Sequence, residues 1–533
     1  MTRTTRPVAL ARNGMVSSPH YLASAAGLQV LRDGGSAVDA AIAVNATLGV
    51  VYPHMTGPGG DAFWLIHDAA TGSVQALNGS GRSGAAATRD FYTSKGLTEI
   101  PSRGPLAAVT VPGAVDSWCT AHERHGRLPL SALLRAAIDY ARDGFPVCDS
   151  YAACASDVAE VLHAHPLTSR TLMPEQRLPA IADVLTLPRL AATLETVAEK
   201  GRAGFYEGPV AAEIARSLQE AGGLLTTEDL AAHHSDWQDP ISTTYRGYVA
   251  YQHPPNSQGF AHLMALNIIE NFDLSGLISS NDPRYVHLLV EATRLAFADR
   301  DRHLTDPAFH EIPMDRLLSK GYAAELASRI TMDRAAPLQP VTRMGGDTTC
   351  SVVVDKDGNA SSVIQSLYHE FGSGFIAGDT GVLLQNRGSF FSLDADHVNS
   401  LEPNKRTFHT LMPGMLLRDG RLDLVYGTMG GEGQPQTSNA LVTRVVDFGL
   451  DVQQAIDAPR WLYGRTWGDD RRDLRIENRF PAEALESLRN WGQPVQQLGD
   501  FEGVMGHAQA IRVGDKVLMG GADPRGDGLA LGW

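Results

Sequence analysis

Cysteine is scarce in this chain: Cys119, Cys148, Cys154 and Cys350 are the four among 533 residues. None stands in a CxxC pair, which argues against a zinc ribbon or a thioredoxin-like dithiol. Their uneven spacing reads as free thiols rather than a disulfide framework. No apolar run is long enough to span a bilayer, since the longest, 37–51, is interrupted by Asp39 and Asn45. Basic residues occur near the N-terminus without a continuous apolar stretch before Gly14, so no secretory signal is read and a cytoplasmic protein is expected. An excess of positive charge is missing too. The 45 Lys and Arg against 60 Asp and Glu leave a net charge of −15, the wrong sign for a phosphate-backbone binder, and neither nucleic acid nor a membrane is expected as partner. Metal patterns fail as well: His369-Glu370 lacks the second histidine of HExxH, and the stretch DKDGN (355–359) would need Glu where Ser366 stands to be a calcium loop. No metal and no cofactor is expected.

What the chain does have is glycine, 53 residues or about a tenth, against roughly 7% in ordinary proteins. These glycines have no three-residue period and sit in short clusters beside apolar runs. With 43% hydrophobic and 20% charged residues, the chain has the makings of a large core. Length alone suggests three to four domains.

The first part reads as helix-rich. Residues 20–31 form one expected helix, and 36–51 another, with Ser36 as N-cap and Asp39 closing a capping box. Strands are expected at 63–68 and 74–78, and helices at 130–144, 182–201, 210–223, 259–272, 284–301 and 315–332. A strand at 247–255 is stopped by Pro254 and Pro255. The segment 333–347, with two prolines and Gly345-Gly346, reads as an exposed linker or processing site. After it the period changes: 348–368 reads as strand, Asp357-Gly358 turn, strand, and further strands are expected at 381–386, 414–428, 440–449 and 507–525, with short helices at 451–458 and 481–491.

Three glycine clusters sit where chemistry is conceivable. TGPGGDAF (56–63) lacks the Lys-Ser/Thr of a phosphate loop and reads first as a tight turn. At Gly345-Gly346-Asp347-Thr348-Thr349, a flexible stretch enters a strand at threonine. A threonine hydroxyl is a poor nucleophile unless a base takes its proton. An N-terminal α-amine, with a reference pKa near 7.7–8.0, can serve if the chain is cut before it. A plain loop entering a strand fits the same residues. Gly430-Gly431 follows the apolar run LDLVY, and its N–H groups suit either an oxyanion hole or an ordinary turn.

Taken together, these segments resemble the γ-glutamyltranspeptidase family of N-terminal-nucleophile hydrolases. The resemblance covers nearly the whole chain, through NGMVSSPHYLASAAGLQVLRDGGSAVDAAIA, TGPGGDAF, TVPGAVDSWCTAHERHGRLP, AYQHPPNSQG, the Asp-Thr-Thr junction, VVDKDGNA, FGSGFIAGDTGVLLQN, the Gly430-Gly431 loop and GGADPRGDG. It implies an α+β fold, a four-layer αββα sandwich. It also implies a proenzyme cut between Asp347 and Thr348 into a large part, 1–347, and a small part, 348–533, which interleave in one fold. Thr348 is then the nucleophile, Ser366 the supporting hydroxyl, Thr349 and Asn386 support, and Gly430 and Gly431 the oxyanion donors.

The departures concern the substrate. The family's carboxylate-binding arginine falls on Ser80, with Arg82 two residues late. The glutamine and aspartate that read the glutamyl head group fall on Arg387 and Phe390, the serine pair on His409-Thr410, an asparagine on Tyr368, and a histidine on Cys350. Phe390 offers nothing to an ammonium group, whereas the guanidinium of Arg387 suits a carboxylate. Arg387, Tyr368, His409, Thr410, Phe390 and Arg82 are therefore expected to line a pocket for a small anionic acyl amide. The pattern resembles the branch of the family that cleaves oxamate to oxalate and ammonia. γ-Glutamyl transfer or glutathione hydrolysis, glutaryl-amide hydrolysis as in cephalosporin acylases, and an inactive binding homologue remain as alternatives.

Overall fold

The alternating segment around the Asp-Thr-Thr junction folds into a hairpin, Asp347–Val354 against Ala360–Tyr368, closed by a turn at Asp357-Gly358. This hairpin lies at the centre of a seven-stranded antiparallel sheet in the computed structural model, which describes residues 4–277, 279–337, 347–464 and 472–533. Across that sheet the order is Leu529–Gly532, Met15–Ser18, Asp347–Val354, Ala360–Tyr368, Asp61–Asp68, Ser73–Gly79 and Asp236–Gln238. A second seven-stranded sheet runs Ala9–Ala11, Leu518–Ala522, Ala508–Val513, Arg421–Thr428, Gly414–Arg418, Tyr248–Gln252 and Ile241–Tyr245. Each sheet draws strands from both sides of residue 347, so the separate domains suggested by length do not occur.

Three apolar layers make the sandwich. Between the sheets lie Phe63, Leu65, Cys350, Val352, Ile364, Met415, Val425 and Ile511. Outside the first sheet pack the helices Tyr21–Arg32, Ala37–Val51 and Ala114–His125. Outside the second pack Gly259–Ile269, Gly433–Val446 and Val452–Asp457. The result is the expected αββα arrangement of an α+β fold. A hydrogen bond from Ser362 Oγ to the Tyr426 carbonyl, 2.9 Å, ties the sheets together at their centre.

Local expectations hold where the signal is local. Ser36 caps Ala37–Val51 with a complete capping box to Asp39, and the strands Asp61–Asp68 and Ser73–Gly79 form the early pair. They fail where burial overrides propensity. The β-branched stretch 440–449, expected as a strand, belongs mostly to the helix Gly433–Val446, whose residues are almost all buried and packed in the outer layer. Residues 381–386 form no strand; Leu383 makes only an isolated bridge to Ile376. The 182–201 helix begins at Pro188, and 315–332 divides into Met314–Leu317 and Lys320–Ala327. Gly345 and Gly346 lie outside the described residues. All four cysteines are free thiols, and among the described residues no helix is long and apolar enough to cross a membrane.

Several histidines are buried in these layers. His262 is held between Asn439 Oδ1 and the Tyr426 hydroxyl, each at 2.8 Å, and burial pushes its pKa down to about 3. His253 and His369 are likewise held down at about 3, chiefly by burial. These rings stay neutral in the fold but take up protons when unfolded, below pH about 6.5. Because the unfolded state then binds more protons, stability rises with pH across this window. Thermal unfolding should therefore show a constant midpoint above pH 7 and a falling one between about pH 6.5 and pH 3. A midpoint unchanged between pH 7 and pH 4 would contradict this.

Candidate active site

The pairing of the central hairpin is irregular at one place. Thr349 lies opposite Gln365, but Asp347 lies opposite Tyr368, so the register slips by one residue across Thr348. Such a bulge bends a strand and re-aims its side chains. Tyr368, which ends the slipped stretch, has a φ of 86°, a left-handed conformation uncommon for a large side chain. Thr348 Oγ1 lies 3.4 Å from Ser366 Oγ. Ser366 Oγ also accepts a 2.7 Å bond from the Tyr368 N–H and one of 3.3 Å from Arg387 Nη2. Thr349 faces away from this group and donates to the Gln365 carbonyl at 3.0 Å. Thr348, Ser366 and Arg387 are all fully buried in the uncut chain.

Glycine explains how the neighbouring strand approaches so closely. A Cβ at Gly60 would stand 2.2 Å from the Ser366 carbonyl, and one at Gly59 would stand 2.0 Å from the Leu383 carbonyl. The early cluster, read from sequence first as a turn, thus seats Asp61 directly opposite Ser366 in the sheet. Opposed residues of adjacent antiparallel strands share a face. Asp61 Oδ1 accepts from the Gly81 and Gly113 N–H groups, each at 3.1 Å, and from Gln385 Nε2 at 3.0 Å. Its Oδ2 lies 3.2 Å from His409 Nε2. Burial, and then the neighbouring Arg387 cation, lower the pKa of His409 to about 4, so the ring is neutral.

Arg387 occupies the centre of this arrangement. Besides Ser366, it reaches Thr410 Oγ1 at 3.4 Å, and its guanidinium lies 4.4 Å from the Tyr368 ring centre and 5.2 Å from that of Phe390. Its Nε has no hydrogen-bond partner, and among the described residues no carboxylate pairs with it at salt-bridge distance. Burial lowers its pKa to about 10. A buried cation served only by hydroxyls and ring faces is costly, and an entering anion would satisfy it.

The loop carrying Gly430 and Gly431 joins the strand Arg421–Thr428 to the helix Gly433–Val446. Both glycines have positive φ, 115° and 52°, and a Cβ on Gly430 would crowd Gly506 Cα at 3.2 Å. Gln258 Nε2 bridges this loop to the Arg387 cluster, donating to the Thr410 carbonyl at 2.8 Å and to the Gly431 carbonyl at 3.0 Å. Gln258 is itself fixed by the buried Arg300, which also pairs with Glu432 at 3.2 Å. Among the described residues no group of three or more His, Cys, Asp or Glu is placed to hold a metal ion.

Thr348, Ser366, Arg387, Thr410, Tyr368 and Phe390 are therefore neighbours, His409 reaches them through Asp61, and Gly430-Gly431 through Gln258. Arg82 does not join them. Its side chain is 39% exposed, and its guanidinium bonds Asp306 at 3.1 Å and the Asn404 carbonyl at 3.3 Å. Asn386 acts one layer out, bonding the Ser102 carbonyl and both the N–H and Nδ1 of His369. Asp61, Gln258 and Arg300 were not singled out from sequence. Only Asp61 carried a signal, as the charged residue ending a glycine cluster at the start of an apolar strand.

Comparison with known proteins adds three relatives. The sequence profile described as gamma-glutamyltranspeptidase matches residues 23–533. The glutathione hydrolase-like YwrD proenzyme of Bacillus subtilis (strain 168) is 51% identical over 520 residues, spanning 97% of this chain and 98% of that protein. The oxamate amidohydrolase proenzyme of Klebsiella pneumoniae is 42% identical over 528 residues, 98% of each. The crystal structure of cephalosporin acylase from Bacillus halodurans aligns over 100% of this chain and 98% of its own with a TM-score of 0.93 and 37% identity.

Proposed function

This chain belongs to the gamma-glutamyltranspeptidase family of N-terminal-nucleophile hydrolases, and on that footing we propose that it cuts itself and then hydrolyses a small anionic acyl amide, oxamate to oxalate and ammonia being the best fit. In this reading the precursor is cut between Asp347 and Thr348 by attack of Thr348 Oγ1 on the preceding carbonyl. The N→O shift breaks the peptide bond, frees the α-amine of Thr348 and leaves an ester, which water hydrolyses to the Asp347 carboxylate and the free Thr348 hydroxyl. The parts 1–347 and 348–533 stay associated through the strand pairs they share. The neutral amine then takes the hydroxyl proton as Oγ1 attacks the substrate amide. Gly430 and Gly431 N–H groups receive the developing oxyanion. Ammonia leaves with the transferred proton, and water releases the acid from the acyl-enzyme.

One observation carries the choice of substrate: the fully buried Arg387, without a carboxylate partner among the described residues, beside the nucleophile. Its Nη2 is two short steps, 3.3 and 3.4 Å, from Thr348 Oγ1. A substrate carboxylate held there leaves room for an amide carbon bonded directly to it, as in oxamate. A glutaryl or γ-glutamyl chain would have to fold back on itself to reach the same oxygen at the attack distance of about 3–3.5 Å. A γ-glutamyl donor would also bring an ammonium group beside the Arg387 cation, into a site where Asp61 Oδ1 already accepts from three donors and Oδ2 faces His409 at 3.2 Å.

Four outcomes test this reading. Thr348→Ala should migrate on a denaturing gel as one 57.2 kDa band and lack activity, whereas the native chain gives pieces of about 37 and about 20 kDa by proportional length. A split T348A protein would remove Thr348 from the processing step. Ammonia release from oxamate, glutaric monoamide and γ-glutamyl amides should be fastest with oxamate. Arg387→Ala should lower its kcat/KM about a hundredfold, as expected for loss of charge-assisted hydrogen bonds of about 3 kcal/mol. Faster turnover of the γ-glutamyl amide would replace the oxamate assignment. The pH profile of kcat/KM should rise as the α-amine loses its proton near pH 8. A flat profile between pH 6 and pH 9 would exclude the amine as base.

A further inference from the structure

His409 is clamped on three sides, yet neither ring nitrogen makes a hydrogen bond. Its backbone N–H donates to the Asn256 carbonyl at 2.7 Å, and its carbonyl accepts from the Gln258 N–H at 2.9 Å. The ring packs against Phe63, centres 4.9 Å apart. Nε2 stands 3.2 Å from Asp61 Oδ2, which is itself without another partner, and Nδ1 has no polar neighbour at that range although the residue is fully buried. Asp61 can only accept, so it draws the ring proton of neutral His409 to Nε2 and leaves the lone pair on Nδ1. Asp61 shares a sheet face with Ser366, which touches the Thr348 hydroxyl. The following residue, Thr410, touches Arg387. The Asp61–His409 pair thus adjoins the residues that hold the nucleophile and the anion clamp, where a buried acceptor would complement a donor on the substrate.

The leaving side of a primary amide carries two N–H groups, and each costs free energy if buried without an acceptor. We propose that His409 Nδ1 accepts an N–H of the scissile amide and that Asp61, acting through His409, is the positioning residue that keeps this nitrogen an acceptor. The pair thereby selects amides over esters of the same acid. The contact is a hydrogen bond in which no proton changes hands, and it is separate from the Thr348 amine that acts as base. It rests on the amidohydrolase reading but not on which acyl group is bound.

The test compares the primary amide with the methyl ester of the same acyl group, which has no N–H, in the processed enzyme. Oxamate and methyl oxalate are used first. If wild type prefers another acyl group, that group's amide and ester are used instead, so failure of the oxamate assignment is read separately. The ratio of kcat/KM for amide over ester does not depend on the fraction of chains that fold. His409→Phe, which keeps the packing on Phe63 and loses the acceptor, should lower this ratio about tenfold, the effect of one lost hydrogen bond. Asp61→Asn should lower it similarly, because its amide can donate to Nε2 and move the ring proton to Nδ1. His409→Asn, whose Oδ1 takes the place of Nδ1, should keep the ratio within about threefold of wild type. Parallel losses of amide and ester turnover in H409F and D61N, with the ratio unchanged, would reduce the pair to a structural role and overturn the proposal. If H409F yields no active enzyme, D61N and H409N decide the matter: the proposal requires their ratios to differ and falls if they coincide.

Discussion

The hydrogen-bonded run from Thr348 through Ser366 to Arg387 depends on the register of the central hairpin, which sets Thr349 opposite Gln365 and so brings the next residues, Thr348 and Ser366, face to face. The slip falls just beyond them, before Asp347 pairs with Tyr368. This register is maintained by rigid surroundings. Gly59 and Gly60 let their segment lie against the Ser366 and Leu383 carbonyls, and the Leu367 N–H and carbonyl are bonded to Met55 and Asn386. The second sheet on one face and the helices outside the first sheet on the other then enclose the hairpin. Thr348 is thus positioned before any cut is made, which suits a residue proposed to act first on its own chain and then on a substrate.

Around this geometry the electrostatics are divided between two neighbours. Arg387 is a buried cation whose protein contacts are hydroxyls and aromatic faces, so its charge is available to an anion. Asp61 is a buried anion whose Oδ1 accepts from two backbone N–H groups and Gln385, and whose Oδ2 stands 3.2 Å from His409. In the proposed reading the pocket favours a carboxylate because Arg387 has no carboxylate partner at salt-bridge distance among the described residues.

Much of the architecture could be read from local pattern. The Ser36–Asp39 capping box, the early strand pair and the Asp357-Gly358 hairpin each depend on interactions within a few residues. The helix Gly433–Val446 was misread because its β-branched residues favour a strand when isolated, and only enclosure between the second sheet and its neighbouring helices makes it helical. Of the candidate site, the motifs that carry the resemblance pointed to Thr348 and Ser366, which the structure sets 3.4 Å apart, and to the loop of Gly430-Gly431, which Gln258 ties to Thr410. Arg82 shows the limit of such transfer. Two residues out of register placed its guanidinium on Asp306 and Asn404, away from the buried cluster.

By itself the sequence determined the class of the molecule and the chemistry at its disposal: two patterns of periodicity, glycine clusters at three junctions, and a threonine placed at the start of a strand. Those properties are set by local backbone preference and side-chain chemistry. The tertiary structure decided which residues meet. Asp61 gains meaning only from the strand pairing that sets it opposite Ser366, and Gln258 only from the loops it bridges. Burial decided the rest, because removal from water is what leaves Arg387 seeking an anion and keeps His409 neutral. Neither long-range pairing nor desolvation is written in the identity of any single residue.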